Sequence, residues 1–419
     1  MARELALSIL TDVLQNDAYA DLAVKKALEK SACNRRDKAL ATSIAYGTIQ
    51  HIRFIDYQLM YASVRTIDTL SPKVLNILRL SVYQLRFLDR IPMSAAVNEA
   101  VKLTKKYAFS GASFVNAVLR RVLRTGWLLP EEEKDRLAIQ YSYPDWLVKL
   151  WLSMFGHDEC EKLLEAGNAR PPLSVRVNQL KVFPEEVACL CKAHETAVEE
   201  GLYIDEPSNI ADTDMFRSGW ITVQDVGAQM ASLKLAPKPG ECVLDVCAAP
   251  GGKTTHMAEL MDNRGKIVAW DMHAHKIKLI EENAKRLGIS IIEAAMHDSR
   301  ILDSAHCMQY DKVMVDAPCS GLGIIRKKPD IKWKRKPEDI DALCASQAQI
   351  LDVSAQYVKK GGMLLYCTCT INSRENEEIV NAFLKNHTEF SLAEPYTQLL
   401  PHMDNTDGFF FAKLRRKRV

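Results

Sequence analysis

From residue 237 onward the chain carries five short apolar runs, at 242–246, 266–270, 291–296, 312–315 and 363–366, with helical stretches between them. That alternation is the tightest constraint in the sequence, because parallel neighbours in a sheet need a crossover and a helix supplies one. It predicts an α/β region on a largely parallel sheet. Ligands of such sheets sit beyond the carboxyl ends of the strands, so the residues closing each run are where chemistry is expected. Further upstream, Leu173-Ser-Val-Arg-Val177 and Trp220-Ile-Thr-Val223 also have strand character.

Before about residue 170 no convincing strand occurs. Leu5, Ile9, Leu10, Val13 and Leu14 keep helical spacing, as do Val74, Leu75, Leu78, Val82 and Leu85 after Ser71-Pro72. Phe114, Val115, Val118, Leu119 and Val122 form a third such run, with Arg120, Arg121 and Arg124 on other faces. The stretch 127–144 holds Pro130, the acidic run 131–133 and Tyr141-Ser-Tyr-Pro144, and is expected to be a connector. The expected organisation is an all-α domain over 1–140, a connector with a small α/β subdomain over 141–218, and an α/β domain over 219–419.

Composition narrows the class. With 419 residues, 47% hydrophobic and 26% charged, the chain is long enough for two or three globular domains and is neither disordered nor collagen-like. No run of about 18 apolar residues occurs, and Glu4 interrupts the apolar positions of the N-terminus, so a cytoplasmic protein without a membrane span or secretory signal is expected. Eleven cysteines without scaffold spacing fit reduced thiols. Cys189-Leu-Cys191 with His194 lacks a second ligand pair, so no metal is expected. His273 and His275 are expected at the surface, and Cys242, Cys307 and Cys344 as small buried apolar residues. The net charge of +2 is unevenly spread, with 19 Lys and Arg against 10 Asp and Glu in residues 1–130 and 36 against 43 in the rest. A positive lobe suits a phosphate-rich partner; a set of solvated helix faces would account for it equally well.

The first of the five runs ends in Asp245-Val-Cys-Ala-Ala-Pro-Gly-Gly-Lys-Thr254. A glycine-bearing turn between strand and helix cradles a phosphate or a nucleoside. The phosphate-loop pattern requires glycine where Cys247 stands, and the dinucleotide fingerprint is absent. Asp271 closes the second run, where a carboxylate can accept from both ribose hydroxyls. Asp298 follows the third, where a side-chain acceptor can meet the exocyclic amine of adenine. Acids on successive strand ends repel a triphosphate but suit the ribose and cationic sulfonium of S-adenosylmethionine. The expected cofactor site is therefore Cys247, Ala248, Ala249, Pro250, Gly251, Gly252, Lys253, Asp271, Asp298 and Asp316. The fourth run ends in Asp316-Ala-Pro-Cys319-Ser-Gly and the fifth in Tyr366-Cys-Thr-Cys369-Thr. Neighbouring parallel strands would set Cys319 and Cys369 side by side.

These strings resemble the Nol1/Nop2/Sun family of RNA cytosine-C5 methyltransferases. The resemblance extends to Arg176-Val-Asn178, Val223-Gln-Asp-Val-Gly-Ala-Gln229, Ile325-Arg-Lys-Lys-Pro-Asp-Ile-Lys-Trp333 and Asp407-Gly-Phe-Phe-Phe-Ala-Lys413. The helical region, with Arg35-Arg36-Asp37 and Asn98-Glu99-Ala-Val-Lys102, is similar to a NusB-type RNA-binding domain. The combination points to the bacterial Sun/Fmu subgroup acting on 16S ribosomal RNA. One departure is Ile325-Arg-Lys-Lys, where the subgroup usually has a His before the Pro; it bears on local RNA contacts. The resemblance implies a Rossmann-like class I methyltransferase domain after the all-α domain, S-adenosylmethionine as cofactor, a cytosine in an exposed rRNA loop as target, and a monomer.

Carbon 5 of cytosine is a weak nucleophile, so a thiolate must first add to carbon 6. A second acid/base group can then assist loss of the carbon-5 proton and of the thiolate. Residue chemistry alone leaves Cys319 and Cys369 unranked; the resemblance implies Cys369 as nucleophile and Cys319 in product release. Asp316 is expected to hydrogen-bond the base edge, with Lys253 in a similar role. The rival readings are a DNA cytosine methyltransferase, methylation of another RNA, and a non-catalytic RNA-binding or antitermination factor.

Overall fold

The computed structural model describes residues 1–205 and 210–418. The three apolar repeats become helices Ala2–Gln15, Pro72–Phe87 and Ala112–Thr125, which bury Ile9, Leu10, Val74, Leu78, Val115 and Leu119 in one core. Pro72 stands at the first helical position, where a missing N–H costs nothing. Arg120, Arg121 and Arg124 are exposed.

The expected connector at 127–144 is corrected in part, since it contains helix Glu133–Gln140. Glu133 and Asp135 lie in its first turn, where negative charge favours a helix start. Beside it the Gln58 side chain pairs both ways with the Leu128 backbone at 2.9 Å, and Tyr143 is fully buried. A further helix, Asp145–Ala166, is interrupted at Gly156, whose φ of 76° is non-helical. By contacts the chain divides into two units, Met1–Ala169 with Ile325–Lys334, and Arg170–Ile324 with Arg335–Val419.

The segment Ile325–Lys334, a loop ending in the short helix Ile331–Lys334, therefore belongs with helices distant in sequence. Asp330 Oδ2 accepts from the Ala20 amide at 3.0 Å, and Trp333 Nε1 donates to the Ile49 carbonyl at 2.7 Å. Lys332 is fully buried, with Nζ 3.1 Å from Asn168 Oδ1 and 4.0 Å from the Tyr143 ring centre. Burial pushes its amine well below the usual lysine range. The basic stretch expected to touch RNA thus spends one of its lysines on packing.

The second unit holds two sheets. A small antiparallel sheet contains β1 (Leu173–Val177), β2 (Ala193–Glu195), β3 (Gly201–Ile204) and β4 (Ile221–Val223) in the order β2-β3-β1-β4. The larger sheet is built from β5 (Cys242–Asp245), β6 (Lys266–Asp271), β7 (Ile292–Met296), β8 (Tyr310–Asp316), β9 (Val358–Thr368), β10 (Phe390–Leu392), β11 (Thr397–Leu399) and β12 (Phe409–Arg416). Its order is β10-β12-β9-β8-β5-β6-β7, with β11 also on β12. β5 to β9 pair in parallel, as the alternation predicts, and β10 to β12 add an antiparallel edge. Leu244, Val313 and Leu364 point to one apolar layer, and Val243, Met314 and Leu365 to the other.

Strand order reverses at β5, whose neighbours are β6 and β8. A crevice opens at such a reversal because the flanking crossovers leave in opposite directions. The residues at its mouth are Asp245 and Asp316. Among the described residues, no helix is long and apolar enough to cross a membrane.

Candidate active site

Asp245 ends β5 with its carboxylate buried. Oδ2 accepts from Thr254 Oγ1 at 2.7 Å, while Oδ1 is buried with no partner. Burial pushes this carboxyl up to about 7, with the Thr254 hydroxyl opposing and Asp316 adding to the rise. The chain then turns through residues 247–251 into helix Gly252–Leu260. Gly251 has φ +100°, in the left-handed region, and a Cβ there would meet the Ile280 Cα at 3.2 Å. The first-turn N–H groups of that helix have no intrahelical acceptor and suit a carboxylate.

Lys253 leaves this turn and its Nζ donates to Asp316 Oδ2 at 2.6 Å. Burial opposes the ammonium, but the Asp316 carboxylate outweighs it and raises its pKa. A phosphate-loop lysine must be available to phosphate oxygens; Lys253 is instead committed to a carboxylate.

Asp271 ends β6 and uses only Oδ1 within the protein, accepting from the His273 amide at 3.0 Å and facing Lys276 Nζ at 3.6 Å. Its second oxygen is available. Asp298 differs: Arg300 Nε and Nη2 hold its two oxygens at 2.9 and 2.7 Å. The Arg300 hydrogen bond pulls its carboxyl down to about 2. Sequence reasoning did not anticipate this pair, although the spacing Asp-x-Arg was in view. His273 and His275 are exposed, as expected.

β8 and β9 are parallel neighbours with Asp316 opposite Cys367. The chain continues three residues past Asp316 and two past Cys367, and Sγ of Cys319 and Sγ of Cys369 lie 3.3 Å apart. Both cysteines are half-buried and neither is in a disulfide. The hydrogen bond with Cys369, followed by burial, pushes the Cys319 thiol well up. Burial does the same to Cys247 and Cys367. Cys242, Cys307 and Cys344 are half-buried rather than buried; the Cys344 thiol faces the Arg374 carbonyl at 3.4 Å, a contact that a purely apolar reading omits.

Two further elements brace this site, and spacing alone gave no sign of either. Arg176 of β1 is 1% exposed and grips Glu259 with Nε and Nη2, both at 2.8 Å. Its Nη1 donates to the Gly252 carbonyl at 2.8 Å and also contacts Gln224. The small sheet thus braces the start of helix Gly252–Leu260. His256, on the same helix, meets Glu200 at 2.6 Å. Glu375 is fully buried and accepts from the amide of Ser320, the residue after Cys319, at 2.8 Å.

A relative from Bacillus subtilis, "Probable ribosomal RNA small subunit methyltransferase B", is 39% identical and covers 99% of this chain and 98% of its own length. The chain belongs to the RsmB/F family of 16S rRNA methyltransferases. The family model for "16S rRNA methyltransferase RsmB/F" matches residues 232–415, the NusB family model residues 1–124, and a ferredoxin-like domain of the same methyltransferases residues 143–211. "Ribosomal RNA small subunit methyltransferase B" of Shewanella oneidensis is 32% identical over 98% of both chains. Among solved structures, PH0851 superposes with a TM-score of 0.84 at 30% identity, covering 99% of both chains. The enzyme is therefore an rRNA methyltransferase with a helical NusB domain followed by a Rossmann-like catalytic domain.

Proposed function

We propose that this enzyme transfers the methyl group of S-adenosylmethionine to carbon 5 of a cytosine in 16S rRNA, through a covalent bond between Cys369 and carbon 6 of the base. The observation that carries the reading is the pair of sulfurs 3.3 Å apart, on the strand ends beside the turn that ends in Lys253. A cytoplasmic enzyme follows from an rRNA substrate. In this reading residues 1–140 hold RNA, 141–218 support it, and 219–419 carry out transfer.

The residues present fit the cofactor. Asp245 Oδ1 lacks a partner, Asp271 has an oxygen for a ribose hydroxyl, and Cys247, Ala248, Ala249, Pro250, Gly251 and Gly252 give a turn open to close approach. Asp298 would reach the adenine only while keeping its Arg300 pair. When bound, S-adenosylmethionine supplies an electrophilic methyl group. The protein's task is to make carbon 5 a nucleophile. The Cys369 thiolate adds to carbon 6, placing electron density on carbon 5. Cys319, held as a thiol, can donate its S–H to the Cys369 sulfur and stabilise that charge. Asp316, fixed by Lys253, faces the base edge and balances the charge that develops on the ring. After methylation solvent water takes the carbon-5 proton, the electrons of that C–H bond form the 5,6 double bond of the ring, and the carbon 6–sulfur bond breaks to release Cys369 as thiolate. The Cys319 thiol again receives the leaving thiolate. The target base must be unstacked, since carbon 6 is closed off within a duplex.

Incubating the enzyme and labelled S-adenosylmethionine with 16S rRNA from cells lacking this gene should place label in 5-methylcytosine. Label in any other nucleoside contradicts the reading. Asp271→Ala should weaken S-adenosylmethionine binding by the loss of a charge-assisted hydrogen bond, about 1.5–3 kcal/mol. Calorimetry measures it, and unchanged affinity removes Asp271 from the ribose role.

A further inference from the structure

We propose that Glu375 is the positioning residue of the two-thiol site: its carboxyl group ties together the loops that carry Cys319 and Cys369 and so sets the spacing of the two sulfurs. The proposal rests on the two-cysteine reading given above and assigns a role to a carboxylate which that reading does not use.

Glu375 closes the turn Ser373–Glu375 just after β9, and its side chain is fully buried. Oε1 accepts from the Ser320 amide at 2.8 Å and from Gln347 Nε2 at 3.1 Å. Oε2 accepts from Ser320 Oγ at 2.6 Å, Asn372 Nδ2 at 3.1 Å and Thr370 Oγ1 at 3.4 Å. Every partner is a neutral donor, and among the described residues no cation pairs with this carboxylate. Burying an unpaired charge is costly, and a network of this kind specifies one arrangement only when all its members are satisfied.

The donors are not randomly placed. Ser320 follows Cys319, Thr370 follows Cys369, and their hydroxyls are 2.7 Å apart. The next residue, Asn376, grips Thr368 Oγ1 at 2.6 Å and the Thr370 carbonyl at 3.1 Å, so both neighbours of Cys369 are held. Gln347 carries the link to the Pro318 carbonyl at 2.9 Å, on the other side of Cys319. One carboxylate thus sets two backbone segments, and through them the separation of two sulfurs.

Its charge acts as well. A buried negative charge disfavours a nearby thiolate, and Glu375 is among the groups that raise the Cys319 thiol, after the Cys369 hydrogen bond and burial. The other ionisable groups around the pair are Tyr366 on β9, Cys344 on helix Pro337–Tyr357, Arg374 with Asp341, Arg335 whose Nε donates to the Ser320 carbonyl, and Lys253 with Asp316. Arg374 is committed to Asp341, and Arg335 to a backbone oxygen.

The test compares wild type with Glu375→Gln, which keeps the shape and removes the charge. Iodoacetamide labelling of each cysteine across pH, read by peptide mass spectrometry, follows the thiols whether or not methyl transfer occurs. In Glu375→Gln the Cys319 labelling midpoint should move down by about one pH unit. The kcat should fall about tenfold or more, with the KM for RNA unchanged. An unmoved Cys319 profile with full kcat overturns the proposal. Ser320→Ala keeps the charge and removes the shortest hydroxyl link. It should lower kcat without moving the Cys319 midpoint, and full activity overturns the positioning role even if Glu375→Gln fails to fold. Methyl transfer by Cys369→Ala would sink the two-cysteine reading instead, and the labelling profile would still decide the role of Glu375.

Discussion

Cys369→Ala is expected to reduce methyl transfer by at least about 10³-fold, because no other thiol at the site can take over the attack. Cys367, two residues away, is fully buried and directed at Asp316 Oδ1, 3.6 Å from its sulfur. Burial first, and the neighbouring Asp316 charge next, hold it as a thiol. Cys247 is likewise held neutral by burial and by Asp245, Asp316 and Asp271. Cys319 is close enough but keeps its proton through the hydrogen bond with Cys369 and through burial. Removing the Cys369 sulfur relieves that hydrogen bond, yet leaves Cys319 on a different strand end from the group it would replace. Single-turnover assays with labelled cofactor measure the loss, and retention of more than a tenth of the rate contradicts the assignment.

Arg176→Ala is expected to destabilise the second unit by about 3–5 kcal/mol, the range for removing one partner of a buried ion pair. Arg176 and Glu259 have side-chain exposures of 0% and 5%, so Glu259 would be left with an uncompensated buried charge. The Gly252 carbonyl and Thr255 Oγ1, at 2.8 and 3.1 Å, would lose the same donor. Because Gly252 opens the helix after the turn proposed to hold the cofactor, cofactor affinity should fall together with stability. Arg176→Lys should not restore either, since an ammonium cannot reproduce two parallel hydrogen bonds to one carboxylate. Denaturant unfolding of the full chain gives the stability change, and a loss below about 1 kcal/mol would show that the pair contributes no more than a surface bridge.

The sequence made the large sheet legible because its five parallel strands carry a strong local signal: short apolar runs, each closed by a polar or glycine-bearing turn. The adjacency of Cys319 and Cys369 followed from the same logic, since both lie just past strands expected to be neighbours. The antiparallel edge was less visible; β10 and β11 have three residues each, too few to show a period. Strand β2, also of three residues, escaped likewise, and β3 is buried along all four of its residues and so has no alternation to read, while β1 and the run 220–223 around β4 showed alternation. Arg176 and Glu375 stood in plain view, but the value of a buried charge depends on partners far along the chain, 83 residues away for Arg176 and Glu259, and 55 for Ser320 and Glu375. The packing of Ile325–Lys334 with the helical unit was hidden in the same way, since Asp330 reaches an amide 310 residues earlier. Its basic residues have the composition of a nucleic-acid contact, and only burial separates Lys332 from that role.

The central claim is the division of labour between two sulfurs 3.3 Å apart. Denaturing electrophoresis of Cys319→Ala and Cys369→Ala after incubation with labelled rRNA and cofactor tests it most directly. The Cys319→Ala enzyme keeps the attacking thiolate and lacks the thiol that assists its departure, so a protein–RNA adduct should accumulate and survive denaturation. Cys369→Ala should give no adduct at all. An adduct from Cys369→Ala, with none from Cys319→Ala, would contradict the assignment and make Cys319 the nucleophile.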